Sequence, residues 1–403
     1  MSLFKKTGAV LTDDAKVQEI ITRGVERVYP SKDALEAKLK CGEQLSLYLG
    51  IDPTGPILHL GHAVCLLKLR QFQDLGHHVI VLYGGFTAKI GDPTGKGEAR
   101  QQLSGKDIKK NTANYKKLIG KILDLKKSNI RFVDNEKWSN KLTPADLITL
   151  ASRFTVSQIL ERDMFQERLK QGKEIHLHEF LYPLFQAYDA VTLDVDIQVG
   201  GNDQTFNMLA GRTLMRKMKN KEKFVVSLKL LVDPSGKKMG KTDGNMVALS
   251  DTPADIFGEI MSWPDTMILP GLELCAKVSM AEIAKMKKEL EGGANPKDVK
   301  IKLAEAVVTL LHGEGAAKKA SAEFDTTFAK GNPADFIEIK RDGDPMTTLL
   351  EKGIVASKTE LRRLIAAGAV THLNSNVKVG EDFATSFPTG KYRIGKHRFI
   401  EII

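Results

Sequence analysis

Short apolar runs alternate with longer stretches in which apolar residues recur every three or four positions, and the alternation begins near residue 46. Leu47–Asp52 (LYLGID) and His78–Gly84 (HVIVLYG) have the length and near-continuous apolarity of strands buried on both faces. Between them, Gly61–Gln73 (GHAVCLLKLRQFQ) has the spacing of an amphipathic helix. Further along, Val191–Val199 (VTLDVDIQV) predicts a strand and Asn202–Lys217 a helix. Strand–helix alternation of this kind predicts an α/β fold, a Rossmann-like doubly wound parallel sheet with ligands at the carboxyl ends of its strands.

Other patterns flank this core. Residues 1–45 read as mainly helical and polar. Lys106–Lys127 reads as one lysine-rich helix, with Tyr115, Leu118, Ile119 and Ile122 at helical spacing. Thr252 to Phe328 is helical in pattern, including Asp298–His312, which Gly313 is placed to stop. Gly331-Asn332-Pro333 and Arg341–Pro345 mark a linker. Ser357-Lys358-Thr359-Glu360 is a capping box opening the helix ELRRLIAA, and Gly368 is placed to end it. Val370–Leu373 and Tyr392–Ile403 predict strands. The expected division is a Rossmann-like domain over 1–248, with an insertion near 106–165 and a lysine loop at 235–245. A helical domain over 249–328, a linker over 329–345 and a small α+β module over 346–403 follow.

Length and charge narrow the function. A chain of 403 residues has room for two or three cores. Its formal net charge of +10 suits a polyanionic partner. From Met346 onward nine Lys/Arg face five Asp/Glu, a net of +4, so the tail shares that bias. Cys41, Cys65 and Cys275 have neither metal-ligand nor disulfide spacing, which fits a reducing cytoplasm. The first residues lack an apolar signal core, and no stretch reaches membrane-spanning length, so no membrane partner is expected.

The chemistry lies in two distant motifs. His59-Leu60-Gly61-His62 follows Asp52-Pro53-Thr54 at the predicted strand-to-helix turn, where free backbone N–H groups and the helix dipole favour phosphate. Gly61 there leaves room for a flat base. Lys238-Met239-Gly240-Lys241-Thr242 lies in a glycine-rich loop able to close over a leaving pyrophosphate. In this order the pair resembles the two signatures of class I aminoacyl-tRNA synthetases, and the surrounding residues are similar to the bacterial-type tyrosyl-tRNA synthetases. The resemblance covers nearly the whole chain and is strongest over 47–100, 179–204 and 231–245.

That resemblance implies a tyrosine–tRNA ligase, with L-tyrosine, ATP and the tRNA for tyrosine as substrates, Mg2+ accompanying ATP, and a homodimer. It implies that His59, His62 and Thr54 stabilise the phosphates while Lys238, Lys241 and Thr242 grip them on loop closure. Gly50, Asp52, Gly61, Gly200, Gly201 and Asp203 would border the adenosine, alongside Lys238 and Lys241. Tyr182, Gln186 and Asp189 share one helix face by spacing, a phenol, an amide and a carboxylate among apolar neighbours. Pro183 means that the helix begins or kinks there. By the resemblance, Tyr182, Gln186, Asp92 and Gln204 hold the amino-acid end, and Tyr48 with Asp189 reads the phenol. Phenylalanine would leave that last pair without partners. The helical domain would bind the anticodon, the insertion would serve the subunit interface and acceptor stem, and the tail resembles the RNA-binding module of the ribosomal protein S-four family, with Lys358, Arg362 and Arg363 facing RNA. Leu49, Cys65, Thr205 and Gly240 depart from residues common in the family. Two other readings compete: another adenylyl-transferring enzyme, such as a tryptophanyl synthetase, and a non-catalytic RNA-binding scaffold, which would not require His59, His62, Lys238 and Lys241.

Overall fold

The computed structural model describes residues 9–94, 103–236, 246–326, 336–340, 345–355, 357–375, 377–380, 388–395 and 398–403. Six strands form the main sheet: β1 (Val25–Tyr29), β2 (Ser46–Ile51), β3 (His78–Tyr83), β4 (Ile130–Asp134), β5 (Ile197–Gly201) and β6 (Phe224–Leu228). Their spatial order is β1-β6-β5-β2-β3-β4. All neighbours are parallel except the edge strand β1, which runs antiparallel to β6. This is the expected α/β doubly wound sheet, with the central strands buried on both faces. The chain leaves β2 toward β3 on one side and places β5 on the other, so the sheet opens a crevice at the carboxyl ends of β2 and β5.

Helix α1 (Asp14–Thr22) is capped by the Asp13 carboxylate, which accepts from the Lys16 N–H. Helix α2 (Leu60–Asp74) matches the expected Gly61–Gln73 closely and buries Ala63, Leu66, Leu69 and Phe72 against the sheet. Helix α3 (Leu181–Leu193) answers the question raised by Pro183. A 3-10 turn over Leu177–Phe180 leads into it, and Pro183 falls in its first turn, where an N–H has no intrahelical partner to lose. The helix begins at Leu181, two residues ahead of the proline.

Several sequence-based expectations need correction. Val191–Val199 is not one strand: Val191 and Leu193 finish α3, Asp194 turns the chain in the left-handed conformation (φ 51°), and β5 starts only at Ile197. Apolar β-branched residues suit either element, and the break was set by one aspartate. Helix α4 (Thr205–Lys219) follows a short 3-10 turn over Asn202–Gln204. Lys106–Lys127 is not one helix but two short ones, Gly105–Thr112 and Tyr115–Ile119. Asn111 Nδ2 and the Tyr115 hydroxyl both donate to carbonyls of the loop after β2, those of Pro53 and Gly55. The lysine-rich segment thus braces the loop that leads to His59. The amino-terminal 45 residues, expected to be mainly helical, also contain β1, a short strand of mixed pattern.

The helical region carries α5 (Ile268–Cys275) and α6 (Pro296–His312), the latter stopped at Gly313 with φ +89°. Leu272, Leu303 and Val307 belong to the same contiguous apolar core as Leu47 and Leu49 of β2. One buried guanidinium reinforces that union. Arg23, just after α1, donates to the carbonyls of Leu272, Glu273, Ala276 and Val278 at 2.6–3.1 Å. These lie at the end of α5, where carbonyls lack helical partners and the dipole favours a cation. Lys68 of α2 donates to the Ile20 carbonyl at 2.7 Å, tying α2 to α1.

The tail forms its own five-stranded sheet: β7 (Ile337–Ile339), β8 (Val370–His372), β9 (Val377–Lys378), β10 (Gly390–Ile394) and β11 (Arg398–Ile402), in the order β7-β11-β10-β8-β9. Helix α7 (Lys358–Ala366) has Ser357 at its cap, and Gly368 follows it with φ +63°. Tyr392–Ile403, read as one strand, is an antiparallel hairpin of β10 and β11 that turns after Ile394 at Gly395, φ +69°. No helix among the described residues is long and apolar enough to cross a membrane.

Removing the Arg23 guanidinium leaves buried carbonyls unpaired. Arg23→Met should lower the unfolding free energy by about 3 kcal/mol, seen as a fall in the urea midpoint; an unchanged midpoint would show that water replaces these bonds without cost.

Candidate active site

A cavity of about 310 Å³ opens at the carboxyl ends of β2 and β5. Every described residue singled out for small-molecule binding lines it: Tyr48, Gly50, Asp52, Thr54, His59, Gly61, His62, Asp92, Tyr182, Gln186, Asp189, Gly200, Gly201, Asp203 and Gln204. Lys238, Lys241 and Thr242, with Gly240, lie outside the described residues. Lys358, Arg362 and Arg363 are on α7 in the tail, with both arginines exposed.

His59 is the N-cap of α2, and its Nδ1 accepts from the Gly61 N–H at 3.1 Å. His62 Nδ1 accepts in turn from the His59 N–H at 3.2 Å. With both Nδ1 atoms accepting, a neutral ring carries its proton on Nε2 and offers it as a donor. The two rings stand 4.1 Å apart at the amino end of a fifteen-residue helix, which adds its own N–H groups. Gly61 has a nearer reason than the approach of a base: a Cβ there would lie 2.9 Å from His59 Cε1.

The carboxylates are tightly engaged. Asp52 accepts from Thr87 Oγ1 at 2.7 Å and from the Tyr182 hydroxyl at 2.8 Å. Gly84 makes this possible, because a Cβ there would collide with Asp52 Oδ1. Asp92 accepts from Gln204 Nε2 at 2.6 Å, from Thr94 Oγ1 at 2.7 Å and from Arg162 at 3.4 Å. Asn207 Nδ2 donates to Gln204 Oε1 and so fixes that amide with its nitrogen toward Asp92.

Deeper in the cavity, Asp189 accepts from Trp138 Nε1 at 2.8 Å and from Asn135 Nδ2 at 3.1 Å. Burial pushes its carboxyl up to about 8, against the pull of those two donors. Tyr48 is fully buried, and desolvation first, then Asp189, hold its phenol well above the usual range against an opposing pull from the Gln198 side chain. Its hydroxyl is buried with no acceptor for its proton, and Gln186 Oε1 is buried with no donor. Two orphaned polar atoms facing one cavity are an unusual expense in a folded interior, and a ligand carrying matching groups would satisfy them.

The sequence reading missed Thr87, Asn135, Trp138 and Arg162. Asn135 and Trp138 directly follow β4, and the carboxyl end of a parallel strand is a position that could have drawn attention to them. Two departures from the resembled family line the cavity. The Cys65 thiol is pushed up to about 12, by burial first and then by Asp203, and stays protonated, while Leu49 offers only apolar contact. Thr205 Oγ1 bridges Ser227 Oγ at 2.9 Å and Asn202 Oδ1 at 3.2 Å, tethering the glycine turn to β6.

Comparison with known proteins bears on this geometry. The family model for class I tRNA synthetases of the tryptophan and tyrosine type matches residues 40–329. A tyrosine–tRNA ligase of Carboxydothermus hydrogenoformans is 44% identical, over 97% of this chain and 98% of its own length. One from Haemophilus influenzae is 41% identical, with 97% and 98% covered. Among solved structures, a C-terminally truncated mitochondrial tyrosyl-tRNA synthetase of Aspergillus nidulans superposes with a TM-score of 0.66 at 22% identity, covering 78% of this chain and 95% of its own. The Archaeoglobus fulgidus enzyme complexed with L-tyrosine gives 0.60 at 22%, with 77% and 100% covered. These two share the fold.

Asp189 also leaves a signature in stability. Its folded-state pKa is raised, so the folded protein binds this proton more tightly than the unfolded chain does. The resulting stabilisation is complete below the ordinary carboxylate range and is lost as pH rises through about 8. Asp189→Asn should therefore flatten the decline in urea midpoint between pH 5 and 8; a slope identical to that of the parent would mean that the folded carboxyl is already ionised.

Proposed function

The chain belongs to the class I tRNA synthetases of the tryptophan and tyrosine type, and from that membership we propose how its cavity performs tyrosine–tRNA ligation. The activity is a two-step reaction. L-tyrosine and ATP give tyrosyl-adenylate and pyrophosphate, and the tyrosyl group then passes to the 3′ end of its tRNA.

In our reading the phenol of tyrosine lies between Tyr48 and Asp189, donating to an oxygen of the Asp189 carboxyl and accepting from the Tyr48 hydroxyl. The observation that carries this assignment is the Tyr48 hydroxyl, buried without an acceptor for its proton beside the buried Asp189 carboxyl. Asp92, Tyr182, Gln186 and Gln204 receive the amino-acid end, and the orphaned Gln186 Oε1 suits an ammonium. The substrate carboxylate attacks the α-phosphate in line. His59 and His62, donating from Nε2, and Thr54 stabilise the charge developing on the phosphates. Gly50, Asp52, Gly61, Gly200, Gly201 and Asp203 border the nucleotide, and Lys238, Lys241 and Thr242 close over the leaving pyrophosphate. ATP enters as its magnesium complex. Among the described residues no group of three or more His, Cys, Asp or Glu side chains comes together to hold a resident ion. No residue need bond covalently to substrate, so positioning and electrostatics supply the acceleration.

We assign 1–248 to catalysis, 249–328 to the anticodon, 329–345 to a linker and 346–403 to RNA binding through Lys358, Arg362 and Arg363. A homodimer through the 106–165 insertion and its continuation is supported by Ile148 and Leu177, apolar side chains 70% and 78% exposed. The free thiols of Cys41, Cys65 and Cys275 favour the cytoplasm.

ATP–pyrophosphate exchange with each of the twenty amino acids, without tRNA, tests the central assignment. Tyrosine alone should support exchange, and Tyr48→Phe should lower its preference over phenylalanine by about tenfold; exchange driven by tryptophan would overturn the pocket reading. Ile148→Asp combined with Leu177→Asp should halve the mass seen by light scattering, whereas an unchanged mass would remove this surface from the interface.

A further inference from the structure

Behind Tyr48 lies a buried group with no place in the scheme above. Lys223, the residue before β6, is wholly buried, and no ion pair involves it among the described residues. Lysine on a sheet margin normally extends its amine to water. This one turns inward. Its Nζ donates to Gln198 Oε1 and to the Met208 carbonyl, the latter at 3.1 Å, and lies 5.9 Å from the centre of the Tyr48 ring. Room for it comes from Gly211 on α4, where a Cβ would stand 2.7 Å from Lys223 Nζ and 3.3 Å from Gln198 Oε1.

Gln198 links this amine to the cavity. It lines the pocket and is the register partner of Tyr48 on the neighbouring parallel strand, and its amide sits close enough to the Tyr48 hydroxyl to oppose the upward push of burial on that phenol. A buried amide can face either way, and its two orientations have opposite consequences. With Nε2 toward the Tyr48 oxygen, the phenol proton of Tyr48 stays available to a ligand. With Oε1 toward Tyr48, the amide itself would take that proton, and the hydroxyl would be satisfied without any ligand. Lys223 decides between them. Both its neighbours are acceptors, and an amine has at least two N–H bonds to give in either protonation state.

We propose that Lys223 is a specificity-determining positioning residue, which holds Gln198 Oε1 so that the amide nitrogen faces Tyr48 and the Tyr48 proton is kept for the phenol of tyrosine. The proposal rests on the tyrosine reading of the cavity. It extends the selection of tyrosine over phenylalanine one layer further, to a residue that never touches the substrate.

The test is ATP–pyrophosphate exchange by the full chain, with tyrosine and with phenylalanine, on the parent, Lys223→Met, Gln198→Met and the double variant. Lys223→Met should raise the KM for tyrosine and lower the tyrosine-to-phenylalanine ratio of kcat/KM by roughly tenfold, the scale of one hydrogen bond. The KM for ATP should stay unchanged. In the Gln198→Met background the same substitution should have no further effect on the ratio, because the two residues act as one unit. A ratio within twofold of the parent, or an equal loss in both backgrounds, overturns the proposal. Should Lys223→Met not fold, Gly211→Ala, which crowds the amine without removing it, is read in the same assay with the same expectation. A folded parent that fails to exchange with tyrosine at all overturns the reading of the cavity itself, an outcome distinct from either of these.

Discussion

The sheet divides between β2 and β5, and nearly everything chemical in this molecule follows from that division. At the carboxyl ends of these strands the crossover connections leave in opposite directions, and among the described residues a cavity lies between them. Gly50 and Asp52 end one strand, and Gly200 and Gly201 end the other. Helix α2 starts at the same edge with its amino end and two histidines, while α3 runs alongside and supplies Tyr182, Gln186 and Asp189. A site that must hold an amino acid and a nucleotide together needs such a seam, with one end lined by buried polar side chains and the other by backbone N–H groups.

Within the seam the polar groups fall into two populations. Asp52, Asp92 and Gln204 are committed to partners in the protein, so their positions are fixed before any ligand arrives. The Tyr48 hydroxyl and Gln186 Oε1 are not. Fixing most of a site while leaving a few polar atoms unsatisfied is how selectivity against an analogue is built. A ligand that lacks the matching group leaves a buried cost in place.

Much of this was legible in the chain because local rules and the overall fold agree. The apolar runs of β2 and β3, the helical spacing of α2, the glycine after His312 and the serine before α7 each carry their own signal, and each element was found within a residue or two. The misreadings came where tertiary contacts decide. Asp194 ends a helix inside a run that suits a strand, and Asn111 and Tyr115 break a lysine-rich helix to reach two carbonyls some sixty residues away. The polar face of α3 was visible by spacing. Asn135, Trp138 and Lys223 were not, because a side chain that supports a site from behind has no motif of its own and is found only when its neighbours in space are known.

The buried arginine between α1 and α5 has a consequence for how the molecule comes apart. Arg23 holds the end of α5, Lys68 of α2 holds the end of α1, and the other end of α2 presents the histidines. These contacts tie three helices from two regions of the sequence together through buried hydrogen bonds, whose loss on opening would leave carbonyls unpaired. Loosening α5 would be felt through α1 and Lys68 at the helix that presents the imidazoles, and the amide protons of the three helices should exchange with solvent as one unit.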